Sequence, residues 1–194
     1  AIKRTIGLHL SDTLVVLAGE RQRPQAEKFQ TAFVRRADEV MAQNTHIFRG
    51  VPGVLDGLKH RGYKLGIVST KYRYRIEAIL ERDGLLGYFD NIVGGEDIQC
   101  HKPAPDSLLL ALNRLSVNPH EVVYVGDSVT DAMTAQAAGV KFVAVLSGVT
   151  PPDEFDPFPK LAILPGVQRD FLQNVLERNP NGDPQCARHH ETDR

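Results

Sequence analysis

Short apolar runs alternate with longer stretches of helical periodicity along most of the chain. Residues 5–10 carry Ile6, Leu8 and Leu10 at every second position, the spacing of a half-buried strand. Residues 64–68 predict a second strand, and 89–93 lead into a short third. At 122–125 the run Val-Val-Tyr-Val is β-branched and aromatic, long enough for one buried strand and too short for a helix. Residues 141–146 and 161–164 complete a set of six. Between the strands the period changes to that of a helix. Over 24–45, Phe29, Phe33, Ala37, Val40, Met41 and Asn44 fall near one stripe with charges opposite. Shorter helices are predicted at 54–60, at 73–82 with Ile76, Ile79 and Leu80 inward, and at 167–176. Another opens at Pro105, which suits a first helical position, with Leu108, Leu109, Leu112 and Leu115 toward the core. A last one follows Ser128 and stops at Gly139. Strands alternating with helices predict an α/β fold with a parallel, doubly wound sheet. Right-handed crossovers bring the carboxyl ends of the first, second and fourth strands to one edge, where sheets of this kind bind ligands.

The polar residues at that edge carry the candidate chemistry. Asp127 follows the fourth strand at once, and Asp131 falls in the first turn of the next helix. Two carboxylates so placed can hold a hard cation through oxygen. Alternatively, Asp127 or Ser128 only caps the helix and Asp131 only complements its dipole. Ser69 and Thr70 end the second strand, where a hydroxyl and backbone N–H groups can donate to a phosphate oxygen or simply cap a helix. Lys102, in Lys-Pro-Ala-Pro, reads on its own as a solvated loop lysine.

Composition narrows the partners. With 194 residues and 42% hydrophobic content, the chain is one ordinary domain with room for a small insertion. A formal charge of −1 gives no electrostatic case for nucleic acid or an anionic membrane. Cys100 and Cys186 are too few and too scattered for a disulfide framework or a zinc site, so a reducing, cytoplasmic setting is expected. No apolar segment has the length of a membrane span, and no signal-peptide core stands at the start. The polar stretch 177–194, with two prolines and no periodicity, reads as disordered.

Taken in order, Gly-Ile-Val-Ser-Thr-Lys at 66–71, His-Lys-Pro-Ala-Pro at 101–105 and Gly-Asp-Ser-Val-Thr-Asp at 126–131 resemble motifs II, III and IV of the haloacid dehalogenase (HAD) superfamily. The resemblance spans roughly residues 5 to 176 and is closest to the phosphoglycolate phosphatase and pyrophosphatase branch. It implies a Rossmann-like, HAD-type parallel sheet flanked by helices, with a small helical cap. Residues 1–14 and 50–178 would form the core, 15–49 a reduced cap and 179–194 the disordered tail. It implies Mg²⁺-dependent hydrolysis of a small phosphate monoester. Ser69 and Thr70 would then bind phosphate, and Lys102 would pair with the nucleophile and neutralise phosphate charge. Asp127 would bind Mg²⁺ directly, and Asp131 would support the metal or its waters.

Motif I departs from the family pattern Asp-x-Asp-Gly-Thr. The chain reads His9-Leu10-Ser11-Asp12-Thr13, which puts His9 at the nucleophile position and Ser11 at the acid/base position, and keeps only the phosphate-binding Thr13. The metal then loses a charged ligand, although the Ser11 carbonyl remains available. Without a carboxylate nucleophile or an acid for the leaving oxygen, the alternative is a catalytically inactive relative that binds a phosphorylated ligand or a protein partner. His9 also favours a transition metal over Mg²⁺, or can itself accept a phosphoryl group.

Overall fold

Five short strands carry the sheet in the computed structural model, which describes residues 10–168 and 170–176. β1 (Gly66–Val68) pairs in parallel with β2 (Asn91–Val93), setting Ile67 opposite Ile92. β3 (Val123–Gly126), β4 (Lys141–Val145) and β5 (Ala162–Leu164) form a second parallel group in that order, with Val125 opposite Val143. Every pairing is parallel, as the strand–helix alternation predicts.

β4 shows why these residues form these strands. Phe142, Val143, Ala144 and Val145 are all buried, a continuous apolar run suited to a strand covered on both faces. Because side chains alternate along a strand, this run feeds two cores. Val143 and Val145 meet Val54, Ala162, Leu164 and Phe171, from α3 (Val51–His60), β5 and α7 (Phe171–Leu176). Phe142 and Ala144 meet Phe155 together with Ala132 and Ala135 of α6 (Val129–Ala138). A third core joins α3, α4 (Arg73–Arg82) and β2 through Leu55, Ile76, Leu80 and Ile92. The fourth positions the site. Leu108 and Leu112 of α5 (Asp106–Leu115) pack with Ala138 and Val140, and Val68, Val122 and Tyr124 lie at its margin. α5 thus touches β1, β2 and α6 together and ties the two strand groups into one body. Leu109, expected inward, is 44% exposed because it stands one residue round the helix from the buried Leu108.

The start of the described chain differs from the expectation. Leu10 was assigned to the end of the first strand, with Ser11 and Thr13 in the turn after it; all three belong to a helix, α1 (Leu10–Ala18). The alternation that marks a strand stops at Leu10, and 14–18 form an apolar run that no Gly or Pro interrupts before Gly19. Asp12 in the first turn complements the helix dipole. α1 packs against a 3₁₀ turn (Glu20–Gln25) and α2 (Ala26–Asn44), which in turn packs on α4. The rest of the expected first strand, His9 included, lies outside the described residues, as does 179–194. On α2 the predicted apolar stripe is partly covered: Ala37 is buried, Phe29, Val40 and Met41 are half-buried, and Phe33 is 43% exposed.

Candidate phosphate-binding site

β3 ends at Gly126, where a side chain would not fit: a Cβ there would lie 2.7 Å from Asp131 Cγ. Asp127 follows, and Ser128 caps α6. The Ser128 Oγ accepts from the Asp131 N–H at 3.2 Å, and Asp131 Oδ2 accepts from the Ser128 N–H at 3.2 Å and from its hydroxyl at 2.6 Å. This reciprocal arrangement is a capping box, so the helix-cap alternative holds for Ser128 and Asp131.

It does not exhaust the role of Asp131. Its other oxygen, Oδ1, accepts from Lys102 Nζ at 2.6 Å and from the Tyr124 hydroxyl at 3.0 Å. Lys102 also lies 3.3 Å from that hydroxyl. The Lys102 side chain is only 11% exposed and that of Asp131 7%. Burial alone would raise the Asp131 carboxyl; the charge and hydrogen bond of Lys102, with those of Ser128 and Tyr124, hold it below the ordinary carboxylate range. Burial, and then the neighbouring Asp131 charge, push Tyr124 well above the ordinary phenol range, so it stays a donor. Lys102 is therefore no solvated loop lysine. Its peptide bond to Pro103 is cis, in the loop that leads into α5.

Asp127 is held differently. The loop after β4 presses on it through Gly148, where a Cβ would lie 2.7 Å from Asp127 Cγ. Among the described residues no hydrogen bond reaches its half-buried carboxylate, in contrast to the four donors on Asp131. The two acids of this motif thus divide the work. Asp127 has open oxygens suited to a cation, and Asp131 has its oxygens committed to Lys102, Tyr124 and Ser128. No group of three or more His, Cys, Asp or Glu side chains with metal-binding geometry occurs among the described residues. A single carboxylate does fit the way Mg²⁺ is often held, through one or two carboxylates with the remaining positions taken by water and substrate phosphate.

Ser69 leaves β1 with its N–H donating to the Val93 carbonyl at 3.0 Å and its Oγ accepting from the Lys71 N–H at 3.1 Å. The second strand turn braces this loop. Gly95 donates to the Lys71 carbonyl at 2.9 Å and packs on the Thr70 carbonyl. Asp97 accepts from the Gly94 N–H at 2.8 Å and pairs with Arg73 and Arg114 at 3.1 and 3.3 Å. Ser69 and Thr70 thus stand at the carboxyl end of β1, as expected. Thr13 and the Ser11 backbone lie in α1, where the Ser11 carbonyl faces the demands of a helix. An open groove of about 640 Å³ runs along α2 from Glu27 to Asp38 and reaches the 69–72 loop at Tyr72.

Sequence reasoning missed Tyr124, Gly148 and Asp97. Tyr124 was read as a buried strand residue, which it is; its hydroxyl was the available signal, since a buried tyrosine seeks a polar partner.

The matches to known proteins follow the same geometry. The model of the haloacid dehalogenase-like hydrolase family matches residues 1–145. Phosphoglycolate phosphatase of Escherichia coli strain K12 is 35% identical over 124 residues, 64% of this chain and 49% of that protein. Pyrophosphatase PpaX of Bacillus pumilus is 35% identical over 140 residues, 72% of this chain and 63% of that one. The chain therefore spans about half the length of the phosphoglycolate phosphatases it matches. A solved structure from Bacteroides fragilis, described as a haloacid dehalogenase-like hydrolase, superposes with a TM-score of 0.83 at 44% identity, covering 86% of this chain and 79% of that one. CbbY from Rhodobacter sphaeroides, solved in complex with phosphate, shares the fold with a TM-score of 0.66 at 24% identity, over 75% of this chain and 65% of that chain. With its parallel sheet, its buried Lys102–Asp131 pair and a family match over most of its length, the chain belongs to the haloacid dehalogenase-like hydrolases.

Proposed function

We propose that the chain is a phosphatase-type hydrolase whose site takes the phosphoryl group of a small phosphate monoester. The observation that carries this is the buried Lys102, held by Asp131 and Tyr124. An ammonium has three donors. One goes to Asp131 Oδ1 at 2.6 Å and one faces the Tyr124 hydroxyl at 3.3 Å, which leaves a third N–H to face an anion. The Ser69 hydroxyl, whose oxygen already accepts from Lys71, has its own proton to donate to a phosphate oxygen. Thr70 extends this cradle. Asp127 would hold Mg²⁺, which supplies charge neutralisation at the phosphoryl oxygens. Asp131 acts through Lys102.

The relatives' names agree with a small phosphorylated substrate, and the phosphate held by the CbbY structure supports the choice of ligand. In this proposal residues 50–176 are the core and α1 with α2 its reduced cap, since the boundary expected after residue 14 falls inside α1, which runs unbroken to Ala18. The formal charge of −1 speaks for a small-molecule partner over a polyanion. No helix among the described residues is long and apolar enough to cross a membrane, in keeping with the proposed cytoplasmic setting.

A second reading, binding of a phosphorylated ligand without turnover, is favoured by one observation. Ser11 brings no carboxylate to the acid/base position, and its backbone is committed to α1. His9, at the nucleophile position, would then serve as a ligand for a transition metal or stand idle. Turnover of p-nitrophenyl phosphate with Mg²⁺, lost in Asp127→Ala, would establish the phosphatase. Absence of turnover together with binding of inorganic phosphate that Lys102→Ala abolishes would establish the silent binder. Neither turnover nor phosphate binding would sink both.

A further inference from the structure

Two charged residues are buried as a whole among the described residues, and the chemistry above uses only Asp131. The other is Arg75, 8% exposed in the first turn of α4. Its Nε donates to Asp38 Oδ1 at 2.7 Å and its terminal nitrogen to the Val34 carbonyl at 3.0 Å, both on α2. Its guanidinium carbon lies 5.1 Å from the Tyr72 ring centroid and 5.4 Å from that of Tyr74. Tyr74 donates to the same Asp38 oxygen at 2.6 Å, and Gln30 reaches the Tyr72 hydroxyl at 3.5 Å. Further along α4, Arg82 donates to the Ala42 and Thr45 carbonyls at the end of α2.

The α2 positions that receive or make these bonds include Gln30, Val34, Asp38 and Ala42. They stand at every fourth residue, so they form one stripe along the helix. Ala37 is the one fully buried residue of α2, with Phe29, Val34, Val40 and Met41 half-buried, and these polar bonds add to that packing. The near end of this strap is Tyr72, which follows directly on the Ser69–Lys71 loop. The Tyr72 carbonyl accepts from the Arg75 and Ile76 N–H groups at 3.1 and 3.4 Å, and its ring lies against the guanidinium.

We infer that Arg75 is a positioning residue that clamps Tyr72, and with it the phosphate-binding loop, to α2, so that loop and helix move as one unit. α2 is then a fixed wall beside the groove and not a hinged lid. The part concerning phosphate rests on the function proposed above; the clamp itself does not. An arginine is required, because only a planar fork can bond a carboxylate and a carbonyl while stacking on rings.

Amide hydrogen exchange on the full chain, compared among the unmutated protein, Arg75→Lys and Arg75→Ala, tests the clamp. Peptides covering 30–44 and 69–72 should accelerate together by about tenfold or more in both variants, as loss of charge-assisted bonds implies. Peptides covering 141–145 and 162–164 should not change. Inorganic phosphate should bind about tenfold more weakly to Arg75→Lys than to the unmutated chain. Faster exchange in α2 with 69–72 unchanged, or full protection of both in Arg75→Lys, would overturn the inference. Should Arg75→Ala fail to fold, Asp38→Asn weakens the strap from the α2 side with Arg75 in place and must accelerate the same two segments. If the unmutated chain binds no phosphate, the phosphate proposal fails while the exchange result still decides the clamp.

Discussion

Replacing Lys102 with Met removes an ammonium but keeps a long apolar stem, and its cost follows from how deeply the pair is buried. Lys102 and Asp131 side chains are 11% and 7% exposed and 2.6 Å apart. Orphaning one charge of a buried pair costs about 3–5 kcal/mol. Here three donors would still face the Asp131 carboxylate: the Tyr124 hydroxyl at 3.0 Å, and the Ser128 N–H and hydroxyl at 3.2 and 2.6 Å. They soften the loss, so about 2–4 kcal/mol is expected, or roughly 5–12 °C in the melting temperature of a domain this size. Asp131→Asn should cost less, since Lys102 can turn toward solvent, and the double variant should fall short of the sum by about 1–3 kcal/mol. The pH dependence has a definite sign. The Asp131 carboxyl is held below its ordinary value of 3.8, so its contribution is complete above that value and is lost as pH falls through the lower folded one. Urea unfolding at pH 7.5 and at steps below pH 5 measures both effects, and the unmutated chain and Lys102→Met should converge in stability at the acid end. A melting shift under 1 °C, additive single variants, or a gap that stays constant with pH would refute the buried-pair account.

Three further outcomes follow from the packing. Gly148→Ala must displace either the loop after β4 or the Asp127 carboxylate; it should cost about 1–3 kcal/mol in urea unfolding and remove any thermal protection by Mg²⁺. Phe142→Ala, at a side chain 1% exposed in the core with Phe155 and Ala135, should cost about 3–5 kcal/mol by the same assay. Ser128→Ala removes both the α6 cap and a donor to Asp131; a loss of about 1–2 kcal/mol is expected, and a loss no larger than that of an exposed serine such as Ser116 would show the capping box to be idle.

What could be read from the chain, and what could not, separates along physical lines. The strand at 141–146 was legible because a parallel strand buried on both faces needs an unbroken apolar run, and Phe142–Val145 supply one. The turn after β3 was legible because Gly126 and Ser128 mark a strand end and a helix start. The roles proposed for Ser69, Lys102 and Asp127 rest on a family resemblance, since a loop lysine in isolation looks solvated. Periodicity reports how much of a face is buried but not by what. Phe33 and Asn44 fitted the α2 stripe on paper, yet that helix is attached through Arg75 and Arg82, side chains that lie forty residues away. The start of α1 was misread for a related reason: alternation at 6, 8 and 10 gave no warning that the helix begins at Leu10.

The parts of the proposed site differ in what holds them, and that difference can be measured. Lys102, Tyr124 and Asp131 are anchored by β3 and α6, themselves packed on β4 and α5. The helix that carries Ser11 and Thr13 packs on α2 and the turn before it. An anion cradle built on the first set does not depend on the chemistry of the second. Ser11→Ala with His9→Ala should therefore leave the affinity for inorganic phosphate at pH 8 within about threefold. Lys102→Met should lower it more than tenfold, because a hydrogen bond to a charged group contributes about 1.5–3 kcal/mol. Isothermal titration of the three proteins with phosphate decides the matter. If the His9 and Ser11 substitutions cost more than Lys102→Met, the anion is held by the start of the chain and the cradle has been placed on the wrong strand.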